Sequence, residues 1–161
     1  MSNVRSAPAA VPASRHSLAP ASTARRIPAS VRNWRRAASR SSVAFCPRSH
    51  AFFKHRDHPW RRLLAAGVNV CLGTDSLASS PSLSVLDEAR FLFAQGDADP
   101  QTLLAMATRR GARALGLEDV TGDLREGLAA EFCVIEPAAA SREPLAAIMA
   151  GQAGPVRLVR P

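Results

Sequence analysis

The first 43 residues contain no acidic side chain, and nowhere in the 161 residues does an uninterrupted apolar stretch approach membrane-spanning length. The second absence excludes a helical membrane span, which needs about 18 or more apolar residues in succession, so no membrane partner is expected. The first marks a break in the chain. Residues 1–43 carry eight arginines (Arg5, Arg15, Arg25, Arg26, Arg32, Arg35, Arg36 and Arg40), whereas residues 44–161 hold the other 13 basic and all 13 acidic side chains and sum to zero. The formal charge of +8 therefore belongs to the first segment alone.

That segment is Ala, Ser, Pro and Arg with scattered Val and a single Trp34. Its apolar surface is too small to offset the entropy of ordering, which predicts a disordered tail over residues 1–43. An acid-free, Arg- and Ser-rich start fits an organelle transit peptide, and a basic tail can hold nucleic acid through its phosphates. Neither reading has specific support, because there is no secretory apolar core, no aromatic interleaving and no recognition motif; nucleic acid is not the expected partner. A third reading, translation from a wrong frame or an overextended start, is favoured by the abrupt change of charge at Val43 and Ala44. Cysteine is also scarce: Cys46, Cys71 and Cys133 are odd in number, far apart and each set in an apolar run. Buried reduced thiols are expected rather than a disulfide framework or a metal site, and the expected localisation is cytoplasmic.

From residue 44 onward the pattern is that of a folded α/β chain. Val43-Ala44-Phe45-Cys46 reads as a short buried strand that Pro47 stops, followed by a polar loop over residues 48–58. Pro59 suits a first helical position, Trp60, Leu63 and Leu64 recur at helical spacing, and Gly67 ends the helix. A buried strand over residues 68–72 completes a β-α-β unit, which predicts a parallel pair. Beyond it, Leu83, Leu86, Ala89, Arg90 and Phe93 share a helical face with a start at Ser80-Pro81 and a stop at Gly96. Asp99 is the N-cap of a second helix, with Pro100 in its first turn, running to Gly116. Residues 131–136 and 156–159 read as strands and 144–150 as a short helix between them. Two short strands make no independent sheet, so they are expected to add to strands outside this chain.

One side chain carries chemistry. In Leu72-Gly73-Thr74-Asp75-Ser76, Asp75 stands where the buried strand ends and a small polar loop begins. The carboxyl ends of parallel strands are where α/β barrels and open sheets place their reactive groups. Read by itself, this segment better suits a carboxylate that merely caps the next helix or a turn.

Four segments in order resemble the carboxyl-terminal part of the amidohydrolase superfamily: Cys46-Pro47-Arg48-Ser49; Ala66-Gly67-Val68-Asn69-Val70 with Leu72-Gly73-Thr74-Asp75-Ser76; Ala107-Thr108 with Gly111-Ala112-Arg113-Ala114-Leu115-Gly116-Leu117; and Thr121-Gly122-Asp123-Leu124 with Gly127. The branch they resemble is that of metal-dependent aminohydrolases and chlorohydrolases acting on cytosine, guanine, adenosine-type nucleosides or triazines. The resemblance implies an (α/β)8 barrel of the TIM type, with its last two strands and helices in residues 44–117, and strands of a small β-sandwich in residues 118–161. It implies that Asp75 binds a catalytic divalent metal, zinc or iron, and carries the proton of the attacking water to the leaving amine. Ser76 and His50 are the candidates for substrate contact, and a small heterocyclic amine is the implied substrate.

This sequence departs from that family's pattern in its histidines. The family's His-x-His pair and two later single histidines lie upstream of the matching region, whereas this chain has only His16, His50, His55 and His58. His50 replaces a usual asparagine and Phe45 an often-found histidine. A metal needs three or four protein ligands, and the resemblance supplies only Asp75. His55 and His58, three apart, with Asp57 raise the question of a separate zinc site, but that spacing arises often by chance in charged loops and a solvated loop is the expected reading. Three functions are therefore expected, in this order: a carboxyl-terminal fragment of an amidohydrolase without activity of its own; a split enzyme completed by an upstream polypeptide; and a non-catalytic binding protein acting through its basic tail.

Overall fold

The computed structural model describes residues 41–96, 98–138 and 141–160. The expected disorder of the tail lies outside the described residues except at its end, where Ser42 and Val43 already belong to a strand. That strand, β1 (Ser42–Phe45), is followed by helices α1 (Pro47–Phe52) and α2 (Trp60–Ala65) and by strand β2 (Asn69–Leu72). β1 and β2 pair in parallel, with Ser42 opposite Asn69 and Phe45 opposite Leu72, as a β-α-β unit requires.

The connection differs from expectation at α1, where a polar loop was predicted. Pro47 occupies the first helical position, needing no partner for its missing N–H, and the buried faces of Pro47 and Ser49 hold the turn to the protein. Six residues with little apolar character give no helical period to read, so tertiary contact decides here. α2 ends as predicted: Gly67, at φ 83°, donates its N–H to the Leu64 carbonyl (2.9 Å), and Val68 donates to that of Leu63 (3.0 Å).

Every residue of β2 is buried. Its one polar member, Asn69, satisfies both amide hydrogens, donating to Ser42 Oγ and to the Arg110 carbonyl, each at 2.9 Å. Helix α3 (Val85–Ala94) starts later than Ser80-Pro81, because Ser84 caps it by accepting from the Asp87 N–H at 3.2 Å. Asp99 caps α4 (Pro100–Ala107) as predicted, accepting from the Thr102 N–H at 2.9 Å. That helix does not run unbroken to Gly116. Thr108 leaves the helical region, its hydroxyl donating back to the Leu104 carbonyl at 2.7 Å, and α5 (Arg109–Leu115) restarts against β2.

Strands β3 (Phe132–Pro137) and β4 (Ala153–Val159) flank α6 (Pro144–Met149) and pair with each other, antiparallel, with an irregularity between Ile135 and Pro137. The expectation that each would add to strands elsewhere is corrected to that extent: the short α6 connection brings them together as neighbours. Among the described residues the parallel sheet has two strands, and barrel closure is not seen. The core packs Phe45, Val70 and Leu72 against Trp60, Leu92, Leu103 and Met106, with Met149 of α6 joining it. All three cysteines are free, but Cys133 is exposed, because β3 turns its outer face to solvent. No helix among the described residues is long and apolar enough to cross a membrane.

Candidate functional site

The carboxyl ends of β1 and β2 lie side by side, and the Gly73 N–H extends their pairing by donating to the Phe45 carbonyl at 2.8 Å. The approach is close at this point: a Cβ on Gly73 would stand 3.0 Å from Cys46 Sγ, so a side chain there would need the thiol to shift. Two residues on, Asp75 has φ 56°, a left-handed conformation uncommon for any residue but glycine and tolerated best by Asn and Asp. The chain turns there, and the Ser76 carbonyl accepts from the N–H groups of Ser79 (3.1 Å) and Ser80 (3.0 Å). The turn brings the Ser79 hydroxyl back onto Asp75 Oδ2 at 3.0 Å. Ser79 Oγ in turn lies 2.7 Å from Ser49 Oγ of α1, both side chains being buried.

Asp75 thus forms part of the wall of an open cleft of about 300 Å³, shared with Cys46, Ser49, His50, His55 and His58 and with the rings of Phe45 and Phe53. His58 stacks on Phe45 with ring centres 4.3 Å apart, and His50 stands edge-on to His58 at 5.8 Å. His58 Nδ1 is buried without a hydrogen-bond partner. Burial first, and the neighbouring His50 second, hold the His58 imidazole below the ordinary histidine pKa. A depressed histidine binds fewer protons folded than unfolded, so its contribution is present above about pH 6.5 and is lost as pH falls through the lowered value. Thermal unfolding from pH 7.5 to 5 is accordingly expected to show a decline in Tm that is shallower in His58→Gln than in the parent.

The Cys46 thiol is pushed up chiefly by burial, which opposes any role as a nucleophile. His50, a predicted substrate contact, lines the cleft. Ser76, the other, is exposed and contributes a backbone carbonyl to the turn rather than a side chain to the cleft wall. Asp57 is exposed and outside the cleft, and among the described residues no group of three or more His, Cys, Asp or Glu side chains is arranged to hold a metal ion.

Three contributors were not singled out from sequence. Ser49 sat unremarked in Cys-Pro-Arg-Ser, and Ser79 in a run of serines read only as loop. Glu88 was one polar residue among the apolar positions of α3. It is wholly buried, and both of its oxygens are used: Oε2 accepts from the Arg48 backbone N–H (2.9 Å) and Oε1 from Arg48 Nε (2.8 Å). Arg48 Nη2 reaches on to the carbonyl (2.8 Å) and hydroxyl (3.0 Å) of Ser82. This clamp ties α1 to the loop after β2, the two segments that carry the cleft.

Left-handed backbone at Asp75 carries a stability cost that glycine would not. Asp75→Gly is therefore expected to be more stable than Asp75→Ala by roughly 1 kcal/mol, since both lose the Ser79 bond and only alanine keeps the strain. Paired urea titrations measure the difference.

The family model of the amidohydrolase family matches residues 15–159. The chain belongs to the amidohydrolase family. Within that family it is 40% identical over 102 residues to a 5-methylthioadenosine/S-adenosylhomocysteine deaminase of Moorella thermoacetica, covering 58% of this chain and 24% of the relative. It is likewise 40% identical to a probable guanine deaminase of Deinococcus radiodurans, covering 65% of this chain and 26% of the relative. Among solved structures, the guanine deaminase of E. coli superposes with a TM-score of 0.61 at 28% identity, over 74% of this chain and 32% of that one. An adenosine deaminase from Xanthomonas campestris, with bound zinc, superposes with a TM-score of 0.51 at 36% identity, over 56% of this chain and 22% of that one. The chain thus spans about a quarter of the length of the curated relatives it matches and corresponds to the carboxyl-terminal region of the amidohydrolase family.

Proposed function

We propose that this chain is the carboxyl-terminal part of a metal-dependent aminohydrolase acting on a small heterocyclic amine, and that it has no turnover by itself. One observation carries the reading. Asp75 is held at the carboxyl end of β2, on a left-handed backbone, with a serine hydroxyl orienting its carboxylate beside a cleft walled by aromatic and imidazole rings. A carboxylate so placed can take a proton from water attacking an electrophilic ring carbon and return it to the departing amine. Phe53 and the cleft histidines border the cleft with ring surface suited to a heteroaromatic ring, Phe45 lying buried behind His58, and His50 is the candidate for a polar contact to it.

The family's divalent metal, zinc or iron, is not accommodated by the residues described. Asp75 is the ligand we assign to this chain, and three or four are needed. The remaining ligands and most of the ring-recognising residues are accordingly assigned to polypeptide outside the described residues. The same observation supports a second reading, a split enzyme in which an upstream polypeptide supplies them.

Ammonia release from guanine and from adenosine derivatives, with zinc or iron supplied, tests both readings. The chain alone is expected to be inactive. Co-expressed with the amino-terminal three quarters of a related deaminase, it is expected to support turnover that requires Asp75. Stoichiometric metal and turnover by the chain alone would refute the proposal.

A further inference from the structure

We propose that Ser49 and Ser79 form a two-hydroxyl brace that fixes the Asp75 carboxylate in one rotamer and leaves Oδ1 as its proton-accepting oxygen, the brace being held rigid by the Arg48–Glu88 clamp. This deepens the reading of Asp75 as the proton carrier and rests on it.

The direction of the bonds follows from counting hydrogens. A serine hydroxyl has one proton to donate. That of Ser79 goes to Asp75 Oδ2, 3.0 Å away, in preference to the Ser76 carbonyl at 3.4 Å. Ser49, 2.7 Å from Ser79 Oγ, must then be the donor in their contact, so the chain runs from Ser49 to Ser79 to Asp75 Oδ2. A hydroxyl that is itself accepting a hydrogen bond is polarised and donates more strongly. Both serines are about 95% buried, so water does not compete for these bonds. With Oδ2 engaged, Oδ1 is the oxygen left to exchange a proton.

The brace would be soft if α1 and the turn after β2 could drift apart. They are tied through one carboxylate. Arg48, adjacent to Ser49, donates twice to Glu88, and the hydroxyl of Ser80, adjacent to Ser79, lies between Glu88 Oε1 (3.2 Å) and the Ser82 carbonyl (3.1 Å), the latter also an acceptor of Arg48 Nη2. Each serine of the brace is thus the chain neighbour of a residue in polar contact with the same Arg48–Glu88–Ser82 cluster. Asp75 itself is exposed, so without such a brace its side chain would sample several rotamers.

The test is NMR of the full chain, reading the Asp75 χ1 rotamer from three-bond couplings to Cγ and the exchange of the Ser79 hydroxyl proton with water. The parent is expected to show a single Asp75 rotamer and Ser79 hydroxyl exchange at least about tenfold slower than that of exposed Ser141. Ser79→Ala is expected to average the Asp75 couplings while the amide spectrum stays dispersed, and Ser79→Thr to restore the single rotamer. Ser49→Ala, which keeps the direct Ser79 bond, is expected to speed Ser79 hydroxyl exchange; it decides the matter if Ser79→Ala does not fold. Averaged couplings in the parent, or a fixed Asp75 rotamer and unchanged exchange in the folded variants, would overturn the brace. None of these readouts needs turnover. Catalysis that survives Asp75→Ala in the complemented enzyme would sink the proton-carrier reading while leaving the brace measurement to stand by itself.

Discussion

Glu88→Ala is expected to destabilise the chain by about 3–5 kcal/mol, the range for breaking a buried ion pair by removing one partner. Glu88 has no exposed surface and the Arg48 side chain keeps only 12% of its own, so the substitution leaves a nearly buried guanidinium with only the more distant Asp87 carboxylate, 3.9 Å from Nη1, as counter-ion. It also orphans the Arg48 backbone N–H, which donates to Glu88, whereas the Ser80 hydroxyl keeps the Ser82 carbonyl at 3.1 Å as acceptor. Against a typical total stability of about 5–15 kcal/mol, that loss is large enough to populate unfolded chain. Glu88→Gln keeps the size and an acceptor, so it should fall between parent and alanine in urea unfolding. The double variant Arg48→Met with Glu88→Leu removes both charges, and partial recovery relative to Glu88→Ala would show that the cation deprived of its close partner is the main cost.

Asp75→Ala in the complemented enzyme is expected to lower kcat by about 10²- to 10⁴-fold, the usual worth of a positioned acid–base group. Asp75→Asn should lose nearly as much, because an amide can still accept from the Ser79 hydroxyl at 3.0 Å but cannot carry the proton. If asparagine retained parent-like kcat, the proton-transfer role would be wrong and the carboxylate would be a turn residue. The pair of substitutions also separates chemistry from folding, since Asn tolerates the left-handed backbone at φ 56° and Ala does not.

Asp87 supplies a further pH-dependent tie between the loop after β2 and α3. The Ser82 hydroxyl, first, and then the Ser84 cap and the guanidinium groups of Arg48 and Arg90 hold its carboxyl below the ordinary range. Its contribution is therefore present above the ordinary carboxylate pKa and lost as pH falls through the depressed value.

Much of the architecture could be read from local chemistry. The strand at Val70, the Gly67 stop and the Asp99 cap with Pro100 each depend on residues adjacent in the chain, and each is found where it was expected, while the strand Ser42–Phe45 forms with Phe45 as its one buried residue rather than as a buried run. The failures share a cause. α1 forms without a helical pattern, the long helix breaks at Thr108, and β3 finds β4, because contacts between distant segments override weak local preference.

The site divides in the same way. Sequence alone determined that a carboxylate, Asp75, ends a buried strand, and its ordered motifs placed the chain in the carboxyl-terminal part of the amidohydrolase family, because strand ends, turns and motif order are properties of neighbouring residues. Only the tertiary structure decided what surrounds Asp75. Ser49 lies 30 residues from Ser79 and Arg48 lies 40 from Glu88, so their partnership exists only once β1 and β2 lie side by side. Hydrogen bonds and ion pairs depend on distance in space, and a run of serines or a lone glutamate in a helix carries no mark of the partner that folding will bring to it.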